Sequence, residues 1–185
     1  MAKQMTLTEL KNKLKGMENA ELIELISGLY KANGMVKEIL NSRFAGEGYQ
    51  AEMLEAYKNK LEKEFFPKNM RKMPSLKTAK SYVTDFKKIG TDEMVMDLTL
   101  YYVECGTEFT NTFGDMDAQF YQNMVSMFEE FAHQINVNGT KENYETLKKR
   151  IRKLVHDASG IGWGYSEEIY QVYADIYKYD DEEED

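Results

Sequence analysis

TDEMVMDLTLYYVECGTEFTNTFGDMDAQFYQNMVSMFEEFAHQINV, residues 91–137, holds two helical periods separated by a glycine turn. In the first, Val95, Leu98, Tyr102, Val103, Cys105 and Phe109 recur at helical spacing, predicting a helix from Asp92 to about Thr112. Phe113-Gly114-Asp115 reads as a tight turn, with a second helix from Asp117 to about Val137. Both are apolar around most of their circumference and are expected to be largely buried. The fold class is therefore all-α, an antiparallel multi-helix bundle with this pair at its centre. A short α-solenoid is the alternative, although no residue pattern repeats between successive helix pairs.

The same stretch sits inside 52 residues, Ile89 to Thr140, that contain no Lys or Arg and nine carboxylates. Positive charge is concentrated on either side, net +7 over Lys58–Lys88 and net +4 over Lys141–Lys153. Segregation this coarse has to be answered by a partner: the chain's own flanks, a metal, or another macromolecule.

Working outward, Ser75 is a good N-cap for a helix through Ile89, and Thr140 caps a basic helix with Tyr144, Leu147, Ile151, Leu154, Val155 and Ala158 on one face. A glycine-rich link, Ser159 to Gly164, leads to a last helix from Tyr165 to Tyr177. Gly160 reads as a left-handed C-cap with Ile161 tucked back, leaving Trp163 as a corner plug. Toward the N-terminus, Thr6-x-x-Glu9 is a capping box opening a short helix to Gly16. Leu22, Ile23, Leu25, Ile26, Leu29 and Tyr30 form a second helix from near Asn19 to Asn33-Gly34, so the two are expected to make a helical hairpin. Val36 to Phe44 is a third segment, broken at Gly46 and Gly48 before an amphipathic helix that ends at Phe66-Pro67. The basic loop between Pro67 and Pro74 is the expected boundary. It separates an N-terminal helical region, 1–66, from a C-terminal bundle, 75–178, packed as one unit with it, and 179–185 is an acidic tail expected to be disordered.

Length fits one main domain with a proper core. No apolar run approaches the ~18 residues of a membrane span, and Met1-Ala2-Lys3-Gln4 leads into a polar helix, so no membrane association is expected. One cysteine, Cys105, excludes an internal disulfide and makes cytoplasm the expected compartment. A formal charge of −8 argues against generic phosphate-backbone binding by the whole surface.

Several constellations carry chemistry. Asp97, Tyr101, Glu104 and Glu108 are spaced i, i+4, i+7, i+11 and share one helix face; with Trp163 they are the candidate binding residues. Glu130-x-x-His133 has the spacing of one half of a carboxylate-bridged di-iron site, so Glu104, Glu108, Glu130 and His133 are the candidate metal ligands. The second half is missing, because His156 is preceded by Arg152 and Lys153. Asp115-x-Asp117 lacks the twelve-residue calcium pattern and reads as helix capping. Lys148, Lys149, Arg152 and Lys153 read as a wet face opposite Ile151 and Leu154; the run Lys148-Lys149-Arg150-Ile151-Arg152-Lys153 and the Lys58–Lys88 segment, with Tyr57, Phe65, Phe66 and Tyr82 interleaved, are the candidate nucleic-acid contacts. No catalytic residue is identified, since no spacing couples Cys105 to either histidine.

Five stretches together resemble a mainly bacterial family of small, uncharacterised, all-helical proteins known only as a domain of unknown function. They are LTELKNKLKGMENAELIELISGLYK (7–31), EFFPK (64–68), SLKTAKSYVTDFKK (75–88), LYYVECGTEFTNTFGDMDAQFY (100–121) and SGIGWGY (159–165). The resemblance implies a shared helical fold and no catalytic assignment. The first helices also resemble a small helix-loop-helix DNA-binding module with an AELI-type helix, although here that helix is acidic where a phosphate-facing surface needs lysine.

The reading that results is a cytoplasmic protein–protein interaction module with a protein partner or self-association. A metal-binding protein or metal-dependent enzyme is one alternative, and nucleic-acid binding through the basic flanks another. No cofactor is expected beyond the divalent metal of that alternative, and whether the protein is an enzyme stays open.

Overall fold

The computed structural model describes residues 4–68 and 73–176, and every regular element among them is a helix. The chain divides into two compact units, Met1–Gly46 and Glu47–Asp185.

The first unit contains α1 (Leu7–Leu14), α2 (Asn19–Ala32) and α3 (Gly34–Phe44). Thr6 and Glu9 form the expected capping box of α1, each holding a backbone N–H of the other. Glu21 reaches back to the Glu18 N–H at the start of α2, and Asn33 both ends α2 and caps α3 by accepting from Met35 and Val36. Helix α2 packs on α3, where the Tyr30 hydroxyl donates to Asn41 at 3.0 Å. Neither α1 nor α2 buries a single residue.

The second unit contains α4 (Glu47–Phe65), α5 (Leu76–Phe86), α6 (Asp92–Phe113), α7 (Ala118–Asn138), α8 (Lys141–Ala158) and α9 (Tyr165–Ala174). Helix α6 is its axis and packs against α4, α5, α7 and α8, an arrangement that is a bundle rather than a solenoid. Gly106 makes room for α7: a Cβ there would meet the Met124 sulfur at 2.0 Å. Tyr57, Leu61 and Phe65 bury one face of α4 on this core, with Phe65 edge-on to Tyr102. That burial places α4 with the C-terminal helices, and the two units part at Gly46. Gly46, at φ +87°, makes the break alone, while Gly48 lies within α4.

Sequence-readable caps hold at the remaining ends: Ser75 accepts from Thr78, Asp117 from Phe120, and Thr140 from Asn143. Gly114 turns the chain at φ +94° as the Phe-Gly-Asp reading requires. No helix among the described residues is long and apolar enough to cross a membrane. The acidic tail and part of the basic Pro67–Pro74 loop lie outside the described residues.

Candidate functional site

Helix α6 is buried on every side but one. Asp97, Tyr101 and Glu104 are half-buried and Glu108 is exposed, whereas Leu98, Tyr102, Val103, Cys105 and Gly106 between them are buried. The carboxylates therefore occupy one narrow stripe, as their spacing dictates.

Cations reach that stripe from both flanks. Lys58 of α4 donates to Asp97 Oδ2 at 2.7 Å and lies 5.8 Å from the centre of the Tyr101 ring. Arg150 of α8 forks onto Glu104, with Nε to Oε1 at 2.9 Å and Nη2 to Oε2 at 2.7 Å, and gives a third N–H to Asp97. Burial alone would lower the guanidinium's pKa, but the Glu104 and Asp97 carboxylates more than offset it and hold the group above its ordinary value. On the far side Lys87 of α5 pairs with Glu130 of α7. The lysine-free block is thus answered by its own flanks: Lys58 and Lys87 come from one basic segment and Arg150 from the other.

Two shallow grooves, of about 400 and about 390 Å³, meet at Tyr101 and Glu104. The first runs between α4, α6 and α8 past Glu55, Lys58, Glu62 and Arg150. The second continues along α6 and α8 past Glu108 and Asn111 to Lys153 and Asp157, which pair with each other. Their walls carry five carboxylates against three cations, so the combined groove is acidic even after internal pairing. Cys105, one helical turn beyond Tyr101, is buried. Burial pushes the Cys105 thiol up to about 12, helped by Glu104, Glu108 and Glu62. The thiol is accordingly protonated at neutral pH and is no nucleophile there.

The groove ends where the two most distinctive sequence segments meet. Asn111 Nδ2 donates to the Asp157 carbonyl at 2.8 Å, stitching the end of α6 to the end of α8. Beyond them the Gly114 turn and the α8–α9 link abut: a Cβ on Gly162 would lie 3.7 Å from Asp115 Oδ2. Tyr121 locks the first turn, accepting from Met116 N–H and donating to Asp115. A run of ring contacts, Phe66–Phe109–Phe120–Tyr121–Tyr165, lines this end, and the Tyr165 and Thr107 hydroxyls are 2.6 Å apart.

Trp163 is not the corner plug. Ile161 and Tyr165, both buried, fill that corner, and Trp163 stands 64% exposed at φ +60°. It is the one non-glycine with positive φ among the described residues, a conformation that costs ~1–2 kcal/mol in an L-residue. Phe113, on the abutting turn, is also exposed.

Glu104, Glu108, Glu130 and His133 are not gathered. Glu104 and Glu130 are held by different cations from different helices, and His133 is exposed on α7. Among the described residues no three His, Cys, Asp or Glu side chains are grouped to hold a metal. The expected wet face of α8 also differs, because Lys148 is 7% exposed, lying 5.6 Å from the Tyr144 ring centre and 3.9 Å from Glu145. Sequence reasoning missed the α4 contribution to the groove and the exposure of Trp163. The only signal for the first was that a lysine-free helix must borrow its cations, which does not say from where.

No curated protein and no solved structure matches the chain. Residues 5–177 match the model of the family of unknown function DUF6155, and the chain belongs to that family.

Proposed function

We propose that the protein is a cytoplasmic protein–protein interaction module whose α4–α6–α8 groove, together with the exposed Trp163 of the α8–α9 link, receives a protein segment carrying basic side chains. The observation that carries this reading is Trp163 itself. An indole that stands 64% exposed at a left-handed backbone position buries little of its surface in return for the strain, and sites of stored strain cluster where partners bind. Tryptophan is also among the side chains that most often dominate binding energy. The α4–α6–α8 groove adds sign: Glu108 is exposed, and the surrounding carboxylates outnumber the cations. A basic segment satisfies that excess without having to break the Arg150 fork.

Affinity capture with wild-type, Trp163→Ala and Glu108→Gln chains tests the reading. The expected result is a defined protein partner retained by wild-type, lost with Trp163→Ala, and released from wild-type by salt. A partner set indifferent to both substitutions would overturn it. Because Trp163 is the only tryptophan, its fluorescence reports the same event directly, shifting to the blue when a partner desolvates the indole. Elemental analysis of the purified chain tests the metal alternative, for which Glu104 would have to leave Arg150.

A further inference from the structure

We infer that α1 and α2 are one half of a homodimer interface, completed by α1 and α2 of a second copy of this chain. The starting observation is an uncovered apolar surface. On α2, Leu22, Leu25, Ile26 and Leu29 fall at i, i+3, i+4 and i+7, the spacing of a helix seam, yet Leu25, Ile26 and Leu29 are 41%, 47% and 48% exposed. On α1, Leu7 and Leu10 are exposed as well. Helices of 8 and 14 residues do not hold themselves in water, where isolated helices below ~12–15 residues are marginal; packing of an apolar face has to supply the rest.

Charge selects the occupant. Helix α1 and its C-cap carry Lys11, Lys13 and Lys15, whereas the start of α2 carries Glu18, Glu21 and Glu24. A twofold axis makes every contact occur twice with the copies exchanged, so α1 of one chain on α2 of the other sets lysine against glutamate on both sides. Pairing α1 with α1, or α2 with α2, in parallel would oppose like charges, and the antiparallel pairings offer only Glu9 and Lys31 as counter-charges. The acidic α2 also repels nucleic acid.

Shape and size agree. Beside Leu25 and Leu29, Gly28 and Ala32 leave a groove of about 470 Å³, and a Cβ on Gly28 would meet nothing within 4 Å. An incoming α1 leucine fits that space. The exposed apolar side chains of the two helices, Leu7 and Leu10 on α1 and Leu25, Ile26 and Leu29 on α2, form the part of the face that a second copy would cover.

Sedimentation of the full chain, from low to high micromolar concentration, is the test. Wild-type is expected to be dimeric, and Ile26→Glu with Leu29→Glu to weaken association at least about a hundredfold at unchanged helix content. Both positions are exposed in the single chain, so the pair does not disturb a core. A second set needs no apolar change: Lys11→Glu, Lys13→Glu and Lys15→Glu in one chain and Glu24→Lys in another, leaving the Glu18–Glu21 capping box intact. Each alone is expected to dissociate, and their mixture to form a heterodimer. A wild-type chain monomeric throughout overturns the inference, as it would if the face were covered by the chain's own α4–α9 unit or by a different protein. So does a dimer indifferent to Ile26→Glu with Leu29→Glu, or reversed chains that fail to recover on mixing.

Discussion

Replacing Arg150 tests whether the stripe on α6 is architecture. Arg150→Met removes three N–H donors from two carboxylates, but Lys58 stays on Asp97, so the group left without a partner is Glu104. The Arg150 and Glu104 side chains are 31% and 24% exposed, between the exposed pairs worth ~0–1 kcal/mol and the buried ones whose breakage costs ~3–5 kcal/mol. Two charge-assisted bonds in fork geometry place Arg150→Met at about 2–3 kcal/mol of destabilisation. Glu104→Gln leaves Arg150 its bond to Asp97 and costs less, about 1–2 kcal/mol. If the two act through each other, the double variant falls short of the sum by about 1.5–2 kcal/mol. Arg150→Lys should recover under half of the loss, because a single ammonium cannot span both oxygens of Glu104 and reach Asp97. Urea unfolding of the four chains, at low salt and again near 1 M salt, measures the coupling. It is expected to survive salt in large part, since partly buried pairs are screened weakly. A coupling below about 0.5 kcal/mol would refute the reasoning, leaving the fork no more than a surface ion pair.

Trp163→Gly relieves the positive φ at the cost of a more flexible unfolded chain, so stability should stay level or rise by up to about 1 kcal/mol while partner binding is lost; thermal melts beside capture assays check it. Burial lifts Cys105 to about 12 and carries the Tyr101, Tyr102 and Tyr165 phenols above their usual range. The unfolded chain releases these protons first, so the stability they contribute is complete below about pH 8.5–10 and disappears as pH rises toward the folded values. Urea midpoints should therefore fall on the alkaline side, with phenolate absorbance appearing together with unfolding. Leu61→Ala should cost about 2–5 kcal/mol in the C-terminal unit, as for other fully buried leucines, and a chain starting at Glu47 should keep that unit's unfolding transition in calorimetry.

How much of this was legible depended on how local the signal was. Caps at Thr6, Ser75, Asp117 and Thr140 are three-residue events, and all were readable. So was the burial of α6 and α7, because a helix apolar on nearly all sides has nowhere else to go. The stripe itself followed from spacing, but its partners lie 39 to 53 residues away in sequence, and nothing in a lysine count distinguishes Arg150 from Arg152. Trp163 failed for a different reason. A large aromatic beside glycines normally fills a corner, and only the adjacent Tyr165, with a hydroxyl able to meet Thr107, decides that the corner is already taken.

The fate of the acidic block bears on where function can sit. Had Asp97 and Glu104 been left unpaired, the stripe would have been the natural site for a cation. Once Lys58 and Arg150 close on it, a ligand there must displace a fork that stabilises the fold, and binding would be opposed by about the coupling predicted above. Surfaces that contribute nothing to their own unit carry no such penalty. Trp163, 64% exposed, and Leu25, Ile26 and Leu29 of α2, 41%, 47% and 48% exposed, are apolar side chains left in solvent at ordered positions. Covering either removes apolar area from water without first breaking anything, which is the energetic condition for an interface.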